Sequence, residues 1–330
     1  MDISRREILK LLSLSPLGYY FLDRLEKLRH ASDQQSANNV LLIVFDAWTA
    51  NNIPLYGYPR DTMPNLSRLA ERATIYHQHF AGGPFTTPGT SSLLTGTYPW
   101  TNRGFQNYGS VIKEFEQKNI FTLLPGHHKV AYTQNPLADI ILNQFSGDIN
   151  DFVPILTFYL GRDFASRLFG NDFETAGLTE RQLLYTNNGI SYSLLLSHLL
   201  YLLAKRENQK VITAYEDTFP LGLPVRSETN FYNLEKPLDW LQSQFSEFPN
   251  PYFCYFHLLP PHGPYNTRID FYNKFKSDEY QPIDKPNHLF QKGQTKGEMN
   301  EARRLYDEFL LYVDAEFARL FEFMDRNDLF

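Results

Sequence analysis

An uninterrupted apolar run, Val40–Phe45, stops at Asp46 and places the strongest constraint on the fold of this chain. A run of this kind, rich in branched residues, is typical of a parallel strand buried on both faces. Further strands are predicted at residues 74–80, 129–133 and 252–259, with helix-like segments between them. This alternation indicates an α/β domain with a mainly parallel central sheet and helices on both faces.

Helical periodicity adds three segments to this picture. Residues 65–72 follow the first strand as a short helix, and residues 190–204 are leucine-rich but carry Ser197 and His198, which favours burial in protein over burial in lipid. Residues 300–326 place apolar side chains at three- and four-residue steps, which predicts one apolar helix face. We expect a folded domain over 39–330, with a largely helical insert at about 137–250.

Charge and cysteine content exclude several classes of protein. The 330 residues carry 31 Lys and Arg against 37 Asp and Glu, a net charge of −6. The chain therefore lacks the basic footprint of a general nucleic-acid binder, and no nucleic-acid partner is expected. A single cysteine, Cys254, excludes an intrachain disulfide framework and a Cys-rich zinc site.

The N-terminus has the form of an export signal. Residues 4–10, SRREILK, contain paired arginines, a spacer, two apolar residues and a lysine, as in signals read by the twin-arginine machinery. The apolar stretch over 11–22 is shorter than the about 20 residues that span a bilayer. The alternative is an amphipathic helix whose arginines face water. We expect residues 1–38 to be a signal and linker, and the protein to be periplasmic, in the cell envelope or extracellular. A further alternative is that the signal is not cleaved and anchors the chain in the membrane.

Asp46 lies where the first strand ends. Ligands bind at the carboxyl ends of strands in open α/β sheets, and a carboxylate there can hold a hard divalent cation. The alternative is an Asp that caps the following segment through backbone N–H groups.

Residues 85–96, FTTPGTSSLLTG, predict a helix with a special N-terminus. Pro88 suits the first turn, Thr87 the capping position and Gly96 the end. Thr86 would then lie just outside the helix, where the N–H groups and the dipole favour an anion. Its hydroxyl could bind a phosphate or sulfate, or act as a nucleophile if a metal lowers its pKa. The alternative is that both threonines only cap the helix.

A histidine between prolines follows the last predicted strand. In residues 257–265, HLLPPHGPY, the prolines fix the backbone around His262. Its imidazole could contact an anionic oxygen or donate a proton to a leaving group. The alternative is a turn histidine without a chemical role.

Taken in order, these segments resemble the sulfatase family of the alkaline-phosphatase superfamily. That family opens with an apolar strand ending in a metal-binding Asp, as Val40–Phe45 ends at Asp46. Its nucleophile motif, Cys/Ser-x-Pro-Ser-Arg-x-x-x-Leu-Thr-Gly, is matched in spacing by Thr86, Pro88 and residues 94–96. Residues 56–70 match the family's YGY…TPNLDRLA stretch, and PHGPY at 261–265 matches its Pro-His-x-Pro-Tyr. Tyr306, Val313 and Asp314 match the helix before the family's last metal motif.

The resemblance implies an alkaline-phosphatase-like fold and a metal-dependent ester hydrolase or transferase. It implies that Asp46 and Thr86 bind a divalent cation (Mg, Mn, Zn or Ca), that Thr86 is the catalytic nucleophile and that His262 contacts the substrate. The substrate would be a phosphate or sulfate ester, such as an envelope polymer or a lipid head group.

Two departures from the family pattern favour phosphoryl transfer. Sulfatases convert a Cys or Ser to formylglycine, but this chain has Thr86 there, Thr90 replaces the Arg of the modification motif, and Cys254 lies outside that motif. Relatives with threonine resemble phosphodiesterases and the transferases of phosphoglycerol or phosphoethanolamine. They commonly have one acid after the first strand, as Asp46 is followed here by Ala47. Hydrolysis of a glycan or aryl sulfate is the alternative.

The third departure is the C-terminus. The family's Ser-Asp-His-Gly-like strand end, which completes its metal site, is expected after the helix at 300–326, where this sequence stops. His77 and His79 share one face of a predicted strand and could serve as replacement metal ligands. That strand, however, is not expected to lie beside Thr86. We expect a truncated and inactive chain, and a non-catalytic binding protein is a further alternative.

Overall fold

The computed structural model describes residues 38–161, 195–227, 230–280, 282 and 293–330. The chain divides into two compact units. Unit 1 comprises Met1–Val44, Ala81–Val153 and Ser246–Phe256, and unit 2 comprises Phe45–Phe80, Pro154–Phe245 and His257–Phe330. The predicted export signal and the start of the predicted helix at 190–204 lie outside the described residues. The predicted division into a signal and one family domain stays a prediction.

The regular elements of the described residues alternate between strands and helices. Short 3-10 helices lie at Ala50–Asn52, Pro54–Tyr56, Lys113–Phe115, Ser146–Asp148 and Ile155–Phe158. In chain order, the strands and α-helices are β1 (Val40–Phe45), α1 (Pro64–Ala70), α2 (Thr86–Thr95), α3 (Pro99–Asn102), β2 (His128–Thr133), α4 (Pro136–Gln144), β3 (Asp151–Phe152), α5 (Leu195–Ala214), β4 (Val225–Ser227), β5 (Asn230–Phe231), α6 (Glu235–Gln244), β6 (Tyr252–Leu258) and α7 (Lys296–Arg326).

A sheet with the strand order β1-β6-β2-β3 forms the centre of unit 1. β2 and β3 are parallel, with Val130 opposite Asp151, and the sheet as a whole is mainly parallel. Every residue of β6 is buried, which agrees with its place between two other strands. The predicted α/β class is therefore confirmed. β4 and β5 form a separate antiparallel pair in unit 2.

Aromatic side chains fill the core of unit 1. Phe121 and Phe253 are almost fully buried, and their ring centroids lie 5.4 Å apart. Tyr255, two residues further along β6, points to the same face and meets Phe121 edge-on at 6.4 Å. Burial of each such ring contributes about 1.5–3 kcal/mol, so the core holds β6 firmly against the loop before β2.

The strand predicted at residues 74–80 is wrong, because these residues form turns and irregular backbone. Tyr76 and Phe80 are 73% and 83% exposed. A strand needs a neighbour for its N–H and C=O groups, and aromatic composition alone does not supply one. His77 and His79 therefore share no strand face, and the ring of His77 meets that of Tyr56 at 5.5 Å.

Two helices of unit 2 differ from their predicted bounds. α7 begins at Lys296 because Thr295 and Glu298 form a capping box, in which each side chain bonds the other residue's backbone N–H. α5 extends to Ala214, ten residues beyond its predicted end, and its Leu202 and Leu203 are 47% and 55% exposed. None of the helices in the described ranges is long and apolar enough to cross a membrane.

A carboxylate of α7 fixes the start of α1 in unit 2. Asp314 accepts hydrogen bonds from the backbone N–H groups of Asn65 and Leu66 at 2.9 and 2.8 Å, and from the Asn65 side chain at 2.7 Å. These N–H groups have no partner within their own helix, so Asp314 supplies one from a distant part of the chain.

A buried ion pair links the loop before α1 to α7. Asp307 is fully buried and accepts hydrogen bonds from Asn52 at 2.7 Å, from the Tyr58 hydroxyl at 2.6 Å and from Arg60 at 2.8 Å. Arg60 also forms a bidentate pair with Asp278. Burial and, after it, the hydrogen bond to Asp307 raise the pKa of Tyr58, so its hydroxyl remains a donor.

Replacing Asp307 should destabilise unit 2 strongly. Asp307→Ala leaves Arg60, Tyr58 and Asn52 with unmet hydrogen-bonding groups in the interior, which should lower the free energy of unfolding by about 3 kcal/mol or more. The matched control is Asp325→Ala, which removes the exposed pair with Arg72 and should cost less than about 1 kcal/mol. Urea denaturation followed by circular dichroism measures both, and equal midpoints would contradict a structural role for the buried pair.

Candidate active site

The α2 helix begins two residues earlier than predicted, which moves Thr86 into its first turn. Phe85 is the capping residue, with an extended backbone, and its carbonyl accepts the N–H of Gly89 at 3.1 Å. The prediction that Thr87 caps the helix and that Thr86 lies outside it is therefore wrong. Pro88 is compatible with this earlier start, because first-turn N–H groups have no partner within the helix. Gly96 ends the helix with φ 64°, as predicted.

The hydroxyl of Thr86 is held by an amide that sequence reasoning missed. Nδ2 of Asn135 donates to Oγ1 of Thr86 at 3.0 Å. Oδ1 of Asn135 accepts the N–H of Leu137 at 2.8 Å, so Asn135 also caps α4. Its backbone N–H donates to the hydroxyl of Thr133, the last residue of β2, at 2.9 Å. An Asn before Pro136 at the start of a helical segment was a sequence signal for the cap, but not for the contact with Thr86.

Glycines allow the segment before α2 to approach the helix closely. A Cβ on Gly83 would lie 2.3 Å from Cβ of Pro88, and one on Gly82 would lie 2.3 Å from Cβ of Ser92. These distances are far below van der Waals contact, so any side chain at either position would displace the start of the helix that carries Thr86.

The close approach at Gly83 can be tested by adding one methyl group. Gly83→Ala forces the backbone away from Pro88 and should lower the free energy of unfolding by about 1–3 kcal/mol. Gly126→Ala is the control, because its Cβ would meet nothing within 4 Å. Thermal unfolding followed by circular dichroism measures both variants. Equal melting temperatures would show that the first turn of α2 adapts without cost.

Asp46 follows β1 and pairs with a buried histidine in unit 2. Its backbone N–H donates to the carbonyl of Leu258 at 2.9 Å. Its Oδ2 lies 3.4 Å from Nε2 of His257, whose side chain is only 3% exposed. His257 lies in the sequence segment around His262. Its contact with Asp46 joins the ends of two strands that are far apart in the sequence, so no local sequence pattern predicts it.

The Asp46–His257 pair has the donor chemistry of a metal site. Carboxylate oxygen and imidazole nitrogen are both ligands of Zn²⁺ and related cations. Over the described ranges, no three His, Cys, Asp or Glu side chains gather closely enough to hold a metal ion. The pair therefore fits part of a cation site, and cation binding by Asp46 together with Thr86 stays a prediction.

His262 lies in the turn after β6. Its backbone N–H donates to the carbonyl of Leu259 at 2.9 Å, and its exposed ring places Nδ1 2.9 Å from the carbonyl oxygen of Gly263. The predicted contact of His262 with a substrate stays a prediction.

Cys254 lies within β6 and is fully buried. Burial raises the pKa of its thiol to about 12, so almost no reactive thiolate forms near neutral pH. This agrees with the sequence argument that Cys254 does not replace the missing Cys or Ser at position 86.

Cys254 should therefore resist alkylation in the folded protein. At about pH 8, iodoacetamide should leave the native chain unmodified over a period in which a free thiol reacts fully. The same chain in concentrated urea is the control and should gain one carbamidomethyl group by intact mass. Rapid modification of the native chain would contradict the burial of this residue.

The described residues form an α/β fold with a mainly parallel sheet. The sulfatase family model matches residues 38–329. The chain therefore belongs to the sulfatase family.

Individual relatives match over shorter lengths. N-acetylgalactosamine-6-sulfatase of Homo sapiens is 31% identical over 72 residues, which cover 22% of this chain and 14% of that enzyme. The ulvan-active sulfatase of Formosa agariphila is 33% identical over 75 residues, or 23% of this chain and 15% of that one. The phosphonate monoester hydrolase of Agrobacterium radiobacter has a similar fold, with a TM-score of 0.54 and 16% identity. That match covers 89% of this chain, which spans 60% of the hydrolase.

Proposed function

We propose that this protein transfers phosphoryl groups through a nucleophilic threonine, Thr86. The observation that carries this proposal is the position of the Thr86 hydroxyl in the first turn of α2, where Asn135 donates a hydrogen bond to it. The helix N-terminus favours an anionic group there, as a phosphate ester requires. Threonine provides a hydroxyl but not the formylglycine that sulfatases make from Cys or Ser.

The reaction would be an in-line displacement at phosphorus. Oγ1 of Thr86 forms a bond to phosphorus, the bond to the leaving oxygen breaks, and a phosphothreonine results. Water or an acceptor hydroxyl then releases the phosphoryl group and restores Thr86. The first-turn N–H groups of α2 stabilise the charge on the non-bridging oxygens. His262 would orient the ester or donate the proton to the leaving oxygen.

Asp46 and Thr86 would hold the divalent cation that the family uses. When bound, the cation supplies positive charge that lowers the pKa of a hydroxyl in its coordination shell. His257 would keep the Asp46 carboxylate in place through their 3.4 Å contact.

The proposed substrate is a phosphodiester of an envelope polymer or a lipid head group. The export signal predicted at residues 1–38 supports this, because a twin-arginine address would bring the folded protein to that compartment. We therefore also propose a periplasmic, cell-envelope or extracellular location.

Sulfate-ester hydrolysis is the second candidate. The partial matches to N-acetylgalactosamine-6-sulfatase and to the ulvan-active sulfatase favour it. Two residues argue against it: Thr86 is not the Cys or Ser from which formylglycine is made, and Thr90 replaces the Arg of the modification motif.

The proposal predicts that Thr86→Ala in the full-length protein abolishes hydrolysis of bis-p-nitrophenyl phosphate. With Mg²⁺, Mn²⁺, Zn²⁺ or Ca²⁺ present, the loss should be at least about 1000-fold, because the variant lacks the attacking oxygen. Thr86→Ser keeps a hydroxyl and is the matched control, which should retain measurable activity. Asp46→Asn should weaken metal binding in calorimetry and raise the metal concentration needed for activity.

Two results would overturn this assignment. Equal rates for the wild type and Thr86→Ala would remove Thr86 as the nucleophile. Faster cleavage of p-nitrophenyl sulfate than of the phosphodiester, dependent on Thr86, would favour the second candidate.

A further inference from the structure

We propose that Asn135 is the positioning residue for the nucleophile, holding the Thr86 hydroxyl oxygen in place with its side-chain amide. This inference rests on the proposed function of Thr86. It adds a residue that the family motifs in this sequence did not indicate.

The side chain of Asn135 can present only its amide nitrogen to Thr86. Its Oδ1 is engaged by the N–H of Leu137 at 2.8 Å, at the start of α4. A rotation of the amide by half a turn would bring Oδ1 against Oγ1 of Thr86 and would leave the helix uncapped. The hydrogen bond to Thr86 therefore has a fixed direction, with Asn135 as the donor.

The backbone of Asn135 is fixed as well. Its N–H donates to the hydroxyl of Thr133 at 2.9 Å, and both residues are almost fully buried. The end of β2 thus determines where the amide lies, and the amide determines where the Thr86 oxygen lies, 49 residues earlier in the chain. A nucleophile held in this way keeps its orientation before a substrate arrives.

The direction of this hydrogen bond also orients the hydroxyl. The bond occupies one lone pair of Oγ1, so the hydroxyl proton must point away from Asn135. With the amide present, fewer orientations of the attacking oxygen are available before a substrate arrives than without it.

One substitution separates the two tasks of Asn135. Asn135→Asp keeps an oxygen that can cap α4, since Asp caps helices as well as Asn does, but it replaces the donor to Thr86 with a second oxygen. The matched control is Asn150→Asp, also in unit 1. There Oδ1 accepts the backbone N–H of Lys129 at 2.9 Å, and the residue is exposed. Both variants should unfold at temperatures close to that of the wild type.

The first measurement is the reactivity of Thr86 itself. Diisopropyl fluorophosphate should form a bond between Oγ1 and phosphorus, with loss of fluoride and release of the hydroxyl proton to solvent, and intact mass detects the adduct. Asn135→Asp should slow this reaction and the turnover of bis-p-nitrophenyl phosphate about 100-fold, mainly through kcat. Asn150→Asp should match the wild type in both rates.

The second measurement requires no reaction. In protein labelled with ¹⁵N-asparagine, the side-chain amide resonance of Asn135, assigned by its loss in Asn135→Asp, should move in Thr86→Val. The side-chain resonance of Asn150 should not move.

The outcomes distinguish this inference from the proposed function. If Asn135→Asp keeps a Thr86-dependent rate like that of the wild type, or if the Asn135 resonance is unchanged in Thr86→Val, the positioning role is overturned while Thr86 stands as the nucleophile. If Thr86→Ala reacts like the wild type, the proposed function is overturned and the positioning role with it.

Discussion

The end of the first strand depends on one backbone hydrogen bond, from the N–H of Asp46 to the carbonyl of Leu258 at 2.9 Å. It continues the pairing of β1 with β6 by one residue, to the point where the apolar run gives way to a carboxylate. Because His257 precedes Leu258 on β6, the same register brings its imidazole to 3.4 Å from that carboxylate. A shift of one strand by one residue would move each of its side chains to the opposite face of the sheet. Such a shift would separate the carboxylate from the imidazole.

Several residues that carry the family resemblance have structural tasks in unit 2. Asp314 on α7 supplies the hydrogen-bond acceptor for the first turn of α1, and Tyr306 donates to the carbonyl of Ala47 at 2.9 Å. Tyr58 donates to the buried Asp307. The matching stretch at residues 56–70 thus reflects how unit 2 is held together, whereas Asp46 and Thr86 are the residues proposed to take part in the chemistry.

The sequence predicted those parts of the fold that local patterns determine. The strands predicted at 40–45, 129–133 and 252–259 are largely apolar segments that the sheet confirms within one residue at each end. The strand predicted at 74–80 was wrong, because Tyr76 and Phe80 face solvent and have no neighbouring strand in the described structure. The start of α2 was misjudged by two residues, because the sequence favours threonine as the capping residue whereas the extended backbone of a cap lies at Phe85.

Residues that act across the fold had no such local signal. Asn135 and His257 contact Thr86 and Asp46 only after the strands are assembled, and the sequence separations exceed any helical or strand period. The double use of Asn135 restricts how this position can evolve. Aspartate preserves one task and loses the other, glutamine is too long to serve both from the same backbone, and serine is too short to reach the threonine. A lineage that replaces Asn135 would therefore need a compensating change nearby, so this asparagine and its neighbours should vary as a group.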